Sequence, residues 1–241
     1  MTTLVIATRN RHKASEIRSR LGNGFRCLTL ADFPAAPAVV EDAPTFAGNA
    51  TKKAVALAAW LAKEGGADAG TDCWVLADDS GLEVDALGGA PGVHSARFAA
   101  AEPGRGDNTS DLLNNNKLLR LLVGVAPARR TARFRCVLAL APLPSSVAPR
   151  ARGPRTGKAG GVEVFEGVCE GHLLTAPRGQ AGFGYDPLFV PRGYELSFAE
   201  LGKEVKNRIS HRAQALSRLE ARLAALPDRG SGATQQPAPT P

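Results

Sequence analysis

The stretch Val75–Val84, VLADDSGLEV, constrains this chain more than any other. An apolar run of strand length reaches two adjacent carboxylates, Asp78 and Asp79, followed by Ser80 and Gly81. A buried strand bounded by glycine predicts polar groups delivered to the rim of a sheet, and the rims of open α/β sheets are where ligands bind. Successive side chains of an extended backbone point to opposite faces. One carboxylate is therefore free to meet a ligand or metal while the other braces the loop. The alternative is a plain turn, because Asp, Ser and Gly cluster in turns.

The segments before it read as strand, loop and helix. Thr3–Ala7 is a β-type run, Thr8–Lys13 (TRNRHK) is a polar loop, and Ala14–Leu21 places Ile17 and Leu21 on one helical face. A helix N-terminus offers free backbone N–H groups, so Thr8, Asn10 and a first-turn Lys13 suit phosphate oxygens; ordinary helix capping is the other reading. Leu28–Leu30 predicts a second strand, and Ala31–Pro44 is proline-rich and irregular, with Glu41 and Asp42 near its end. Thr45–Lys63 has apolar residues at helical spacing, which puts Asn49, Lys52 and Lys53 on a solvated side.

Beyond the acidic pair, Leu82–Leu87 reads as a second β segment and Gly88–Gly92 as a tight loop carrying His94, Ser95 and Arg97. Asn108–Asn116 is polar, Lys117–Val123 helical, and Thr131–Leu140 a central strand. Residues 142–161 have a composition that forbids a packed element, and the strands flanking them, the second being Val162–Leu174, predict a hairpin. In Gly179–Pro191, glycines surround Phe183 and Tyr185 and precede Asp186. Such a loop either stacks and hydrogen-bonds a base, at about 1–3 kcal/mol per stacked base, or makes a turn with Phe183 packed inward. Ser197–Glu200 is a capping box, and a helix from Lys203 to Leu226 carries an apolar stripe. Lys206, Ser210, His211 and Arg212 crowd its first turns against the dipole, a conflict that an anionic or carbonyl-bearing ligand would relieve.

Composition narrows the class. With 241 residues and 44% hydrophobic content, the chain can bury a sizeable core. Its net charge of +7 suits polyanionic ligands without choosing between a nucleotide and nucleic acid. Cys27, Cys73, Cys136 and Cys169 form no CxxC pair and read as core residues in a reducing cytoplasm. No apolar stretch approaches membrane-spanning length. The expected layout is one domain over residues 1–226, with a flexible insertion at 142–161 and a disordered tail at 227–241.

Taken in order, Thr8-Arg9-Asn10-x-x-Lys13, Glu41 ahead of the Phe46 helix, Ala77–Gly81 (ADDSG), Gly88–Arg97 (GGAPGVHSAR), Phe183–Pro187 (FGYDP) and Ile209–Arg212 (ISHR) resemble the inosine triphosphatase family. The resemblance spans Leu4 to Leu226. It implies an α/β, two-lobed fold around a long mixed β-sheet flanked by helices, usually a homodimer. It also implies Mg²⁺-dependent hydrolysis of ITP, dITP and XTP to the monophosphate and pyrophosphate, which clears deaminated purines from the nucleotide pool. Carried over by position, Thr8, Arg9, Asn10, Arg11, His12 and Lys13 hold the triphosphate, Glu41 and Asp79 bind Mg²⁺, and Asp79 is the catalytic base. Ser80 touches substrate. Phe183, Gly184, Tyr185 and Asp186 take the base, with Lys206, His211 and Arg212 completing its pocket.

This chain departs from the family in reading TRN where TGN is common, and in having Gly48 where many members carry Glu. Rival readings are a related pyrophosphatase for modified pyrimidine or methylated nucleotides, a non-catalytic nucleotide sensor, and a nucleic-acid-binding protein. The last lacks any interleaved basic and aromatic groove motif. Deleting Pro227–Pro241 is expected to leave both turnover and the thermal midpoint unchanged, as measured on full-length and truncated protein side by side.

Overall fold

Val75, Leu76 and Ala77, like Val137, Leu138, Ala139 and Leu140, are apolar at both parities of an extended chain, so their strands must be covered on both faces. In the computed structural model, which describes residues 2–64, 73–100, 108–143 and 161–225, they form the middle of a six-stranded mixed sheet. The strands are β1 (Thr3–Ile6), β2 (Arg26–Thr29), β3 (Cys73–Val84), β4 (Thr131–Pro142), β5 (Glu163–Leu173) and β6 (Phe189–Pro191), in the order β2-β1-β3-β4-β5-β6. β1 runs parallel to β2 and β3, and the remaining neighbours are antiparallel. The insertion expected at 142–161 and the tail at 227–241 lie almost wholly outside the described residues. The strands on either side of the insertion do pair, Leu140 opposite Glu163.

The helices are α1 (Arg11–Leu21), α2 (Phe46–Glu64), α3 (Asp111–Leu121), α4 (Phe198–Ile209) and α5 (His211–Ala224). α2 covers one face, where Ala50, Ala54, Leu57 and Leu61 meet Val75, Ala77, Val137 and Ala139. On the opposite face the apolar cover comes in two blocks. One joins Leu76, Leu138 and Leu140 to α1 and α5; the other joins Leu82, Val84 and Phe134 to α3, β6 and α4. Between Leu76 and Leu82 on this face stand Asp78 and Ser80.

Several expectations are corrected. Asp78 and Asp79 do not end a strand and do not form a turn, because β3 continues through them, paired with Leu138 and Val137. The rim is supplied by a neighbour instead: β1 stops at Ile6, opposite Leu76, so the two acids lie just past its end. α3 begins at Asp111, capped by Ser110, within a segment expected to be merely polar. α4 kinks at Gly202 (φ 75°), so helix does restart at Lys203 as expected, but the stretch from there to Leu226 is broken at Ser210, whose side chain caps α5 by accepting from Ala213 N. Arg212 thus opens α5, whereas Lys206 lies in the last turn of α4, where a cation is favoured.

α5 sits very close to the sheet because β5 has Gly167 beneath it. A Cβ at Gly167 would lie 2.0 Å from the His211 carbonyl oxygen and 2.6 Å from Ala215 N. Gly167→Ala is therefore expected to destabilise the fold by about 1–3 kcal/mol through overpacking. Denaturant unfolding measures it, and an unchanged midpoint would show that α5 is seated less closely.

Candidate active site

Asp78 and Asp79 face opposite sides of the sheet, and each meets its own set of charges. Asp78 has a fully buried side chain. Its Oδ1 lies 2.6 Å from Lys13 Nζ, and its Oδ2 accepts from Arg212 Nε at 2.9 Å and from the Cys136 thiol at 3.2 Å. Ser80 Oγ donates to Asp78 Oδ1 and accepts from Arg212 NH2 at 2.8 Å. Burial pushes the Asp78 carboxyl up, but Arg212 and Lys13 together hold it well below the ordinary range, so it stays ionised.

Asp79 turns toward α2. Lys53 Nζ lies 3.1 Å from Asp79 Oδ1 and 3.4 Å from Glu41 Oε1, so one ammonium draws together carboxylates from distant segments. Burial raises the Asp79 carboxyl above its usual value, and Lys53 offsets this only in part. For Lys53, burial acts downward but Asp79, Glu41 and Asp78 outweigh it, and the ammonium stays charged. Asp79 Oδ2 is buried with no partner among the described residues. An orphaned carboxylate oxygen beside a second carboxylate is a donor set that fits a hard divalent cation such as Mg²⁺.

These groups line a cavity of about 200 Å³ together with Thr8, Arg9, Asn10, Lys13, Ser80 and Arg97. That is less than the ~300–1,000 Å³ of sites that enclose a whole ligand, so it accommodates one part of a nucleotide. In the first loop, Asn10 Oδ1 accepts from His12 N and Lys13 N and caps α1, while Thr8 Oγ1 accepts from Asn10 N. The capping alternative is realised, and the first-turn charge of Lys13 is answered by Asp78. Arg9, which lines the cavity, donates from NH2 to Ala36 O at 2.9 Å. Arg11 is exposed on an adjacent open groove.

The residues expected to hold a base gather next to this cavity rather than lining it. His12 stacks on Phe183 with ring centroids 5.1 Å apart, and Lys206 Nζ sits 4.2 Å from the same ring's centroid. Lys206 also contacts Asp186 Oδ2 at 2.6 Å and Glu16 Oε1 at 3.1 Å, and Glu16 Oε2 meets Arg212 NH1 at 2.5 Å. Burial raises the Asp186 carboxyl against the pull of Lys206. An unbroken run of ion pairs thus leads from Asp186 to Lys13. His211 is buried and stacked on Phe134; burial, reinforced by Arg212 and Lys206, keeps its imidazole neutral.

Two of the expected base contacts are occupied by the protein itself. Tyr185 is in the core, with its hydroxyl donating to Ser95 O at 2.9 Å. Gly184 N donates to Asp111 Oδ2 and Gly184 O accepts from Asn115 Nδ2, so α3 pins the loop at that residue. The charge conflict around Arg212 is likewise met from within, by Asp78 and Glu16.

A model of the Ham1 family matches residues 4–222. The chain belongs to the Ham1 family. A dITP/XTP pyrophosphatase of Desulforamulus reducens is 45% identical over 216 residues, covering 89% of this chain and 92% of the relative. One from Opitutus terrae is 45% identical over 223 residues, covering 90% and 96%. Among solved structures, a HAM1 protein from Coxiella burnetii matches with a TM-score of 0.71 and 34% identity, over 93% of this chain and 99% of that one. The family and the α/β fold drawn from the ordered motifs are both borne out.

Sequence reasoning missed Asp78 as the centre of the charge network, together with Glu16, Lys53 and Asn49; Arg97 was singled out on the glycine loop, and it lines the cavity. Lys53 and Asn49 were placed on a solvated face, yet Asn49 is fully buried and the Lys53 side chain is only 12% exposed. The signal was available, since positions 46, 49, 50, 53, 54 and 57 form one stripe of α2. Glu16 lies one turn beyond Lys13 on α1.

The lowered Asp78 pKa carries a sign. Stability from its ion pairs is fully present above the unfolded value near 3.8 and is lost as pH falls through the lower folded value. Asp78→Asn is expected to cost about 3–5 kcal/mol near neutral pH, as for breaking a buried pair. The deficit should shrink at acid pH, as followed by denaturant unfolding at several pH values.

Proposed function

We propose that the chain hydrolyses the deaminated purine nucleoside triphosphates ITP, dITP and XTP between the α- and β-phosphates, releasing the monophosphate and pyrophosphate. The observation that carries this reading is the meeting of Glu41 and Asp79 on a cavity that also holds Lys13 and Lys53. Polyphosphate chemistry needs that combination of hard acidic ligands and cations. The names of the relatives from Desulforamulus reducens and Opitutus terrae supply the substrate class.

In this reading Glu41 and Asp79 hold Mg²⁺, whose chemistry is to neutralise charge on the phosphate oxygens. A water attacks the α-phosphorus in line with the departing pyrophosphate. The new P–O bond forms as the bond to the bridging oxygen breaks, and the water's proton passes to the Asp79 carboxylate. Lys13, Lys53 and the first loop, Thr8 to Lys13, balance the charge of the triphosphate.

The base lies on Phe183 beyond the present cavity, so admitting it means parting His12 from that ring. Lys206, whose ammonium lies over the Phe183 ring, favours a 6-oxo acceptor, whereas the 6-amino group of adenine would leave a buried donor unmatched, at a cost of about 1–3 kcal/mol. Arg212 is engaged by Asp78, Glu16 and Ser80 and holds this end of the site in place. Asp186 and the neutral His211 frame the same end of the cleft. We also read the enzyme as a homodimer of the reducing cytoplasm, in keeping with four free thiols.

A pyrophosphate-release assay with Mg²⁺ over dITP, XTP, dTTP and dUTP tests the assignment. The purines are expected to be turned over well ahead of the pyrimidines, and Asp79→Asn should abolish turnover while retaining the wild-type circular dichroism spectrum. Equal rates on all four nucleotides, or an active Asp79→Asn protein, would overturn it.

A further inference from the structure

Glu41 is carried by backbone that has no regular structure: residues 36–43 belong to neither helix nor strand. Side chains from fixed elements hold this segment at intervals. Arg9 NH2 donates to Ala36 O at 2.9 Å, Arg97 NH2 donates to Glu41 O at 2.8 Å, and Ala43 N donates to Asn49 Oδ1 at 2.9 Å. Glu41 is held at two points: Lys53 Nζ lies 3.4 Å from its Oε1, while Arg97 holds its backbone carbonyl and places NH1 3.9 Å from Oε2.

Arg97 is held rigidly. It ends the 3-10 segment Gly92–Arg97, which is locked to β3 where Ser95 Oγ accepts from Leu82 N and donates to Gly92 O. Gly81 permits that contact, since a Cβ there would lie 2.4 Å from Ser95 Oγ. The Arg97 side chain is 10% exposed and lines the cavity.

Arg130 shows what a purely architectural buried arginine looks like in this fold. Its Nε, NH1 and NH2 donate to the carbonyls of Val125, Leu174 and Leu122. Arg97 differs, because its Nε is buried without a partner among the described residues and its bonds converge on one carboxylate residue. Arg97 thus directs its hydrogen bond and ion pair to Glu41 rather than spreading them over loop carbonyls as Arg130 does.

We propose that Arg97 is a positioning residue for the metal-binding pair: it fixes the backbone of Glu41 so that this carboxylate faces Asp79 before any cation arrives. The inference rests on Glu41 and Asp79 being the metal ligands. Arg97 acts through Glu41 and does not touch the cation. Without the tether, ordering of the 36–43 segment would be subtracted from the affinity for the ion.

The test titrates the full chain with Mn²⁺ alone, following free Mn²⁺ by electron paramagnetic resonance, for wild type, Glu41→Gln, Arg97→Met and Arg97→Lys. Arg97→Met is expected to weaken Mn²⁺ binding by about tenfold or more, the usual effect of removing a partner of a metal ligand, with Arg97→Lys in between. At saturating Mg²⁺, dITP turnover by Arg97→Met should largely recover, since the ligands themselves are intact. Weakened binding in Glu41→Gln with unchanged binding in both Arg97 variants would overturn the role of Arg97 and leave the metal pair standing. Unchanged binding in Glu41→Gln would overturn the metal pair, and the inference with it. Should Arg97→Met fail to fold, Arg97→Lys alone decides, because a merely architectural role would lower its thermal midpoint without moving its Mn²⁺ affinity.

Discussion

A fully buried carboxylate in the middle of a β-strand is the constraint on which the rest of this structure depends. Asp78 interrupts the apolar face of β3 between two cores, and an ion there is tolerable only with partners that are themselves held in place. Lys13 from α1, Arg212 from α5, and Ser80 and Cys136 from the sheet supply them. Satisfying this one residue therefore fixes where two helices begin. It also places Lys13 beside the cavity and Arg212 beside the Lys206 and Phe183 cluster.

The opposite face shows the same physics with a different result. Asp79 is less completely buried, shares its counter-ion with Glu41, and keeps one oxygen unpaired among the described residues. Adjacent residues of one strand thus take separate tasks: Asp78 is neutralised by fixed cations and organises structure, while Asp79 retains the capacity to bind or to accept a proton.

Much of this was legible in the sequence, and the failures have physical causes. The apolar runs located the central strands, and the helical spacing of Phe46 to Leu61 located α2 within a residue of its bounds. The acidic pair was read as a strand end because local propensity favours a turn there. Long-range ion pairs outweighed propensity, and Lys13 and Arg212 are far from Asp78 in the chain. Lys53 and Asn49 were misplaced for a similar reason, since polarity alone suggests solvent when the stripe they occupy is buried. The break at Ser210 follows from a side chain capping the next helix, a competition that an uninterrupted apolar stripe conceals.

Ser210 ends α4 and starts α5 with no residue to spare, so Lys206 and Arg212 stand on two rods joined at a single pivot. Because Ser210 is extended and caps both rods, an insertion or deletion at this joint would change their spacing and relative orientation. Both cations would then lose Glu16, the acid they share. Chain length at this corner is thus as tightly specified as residue identity.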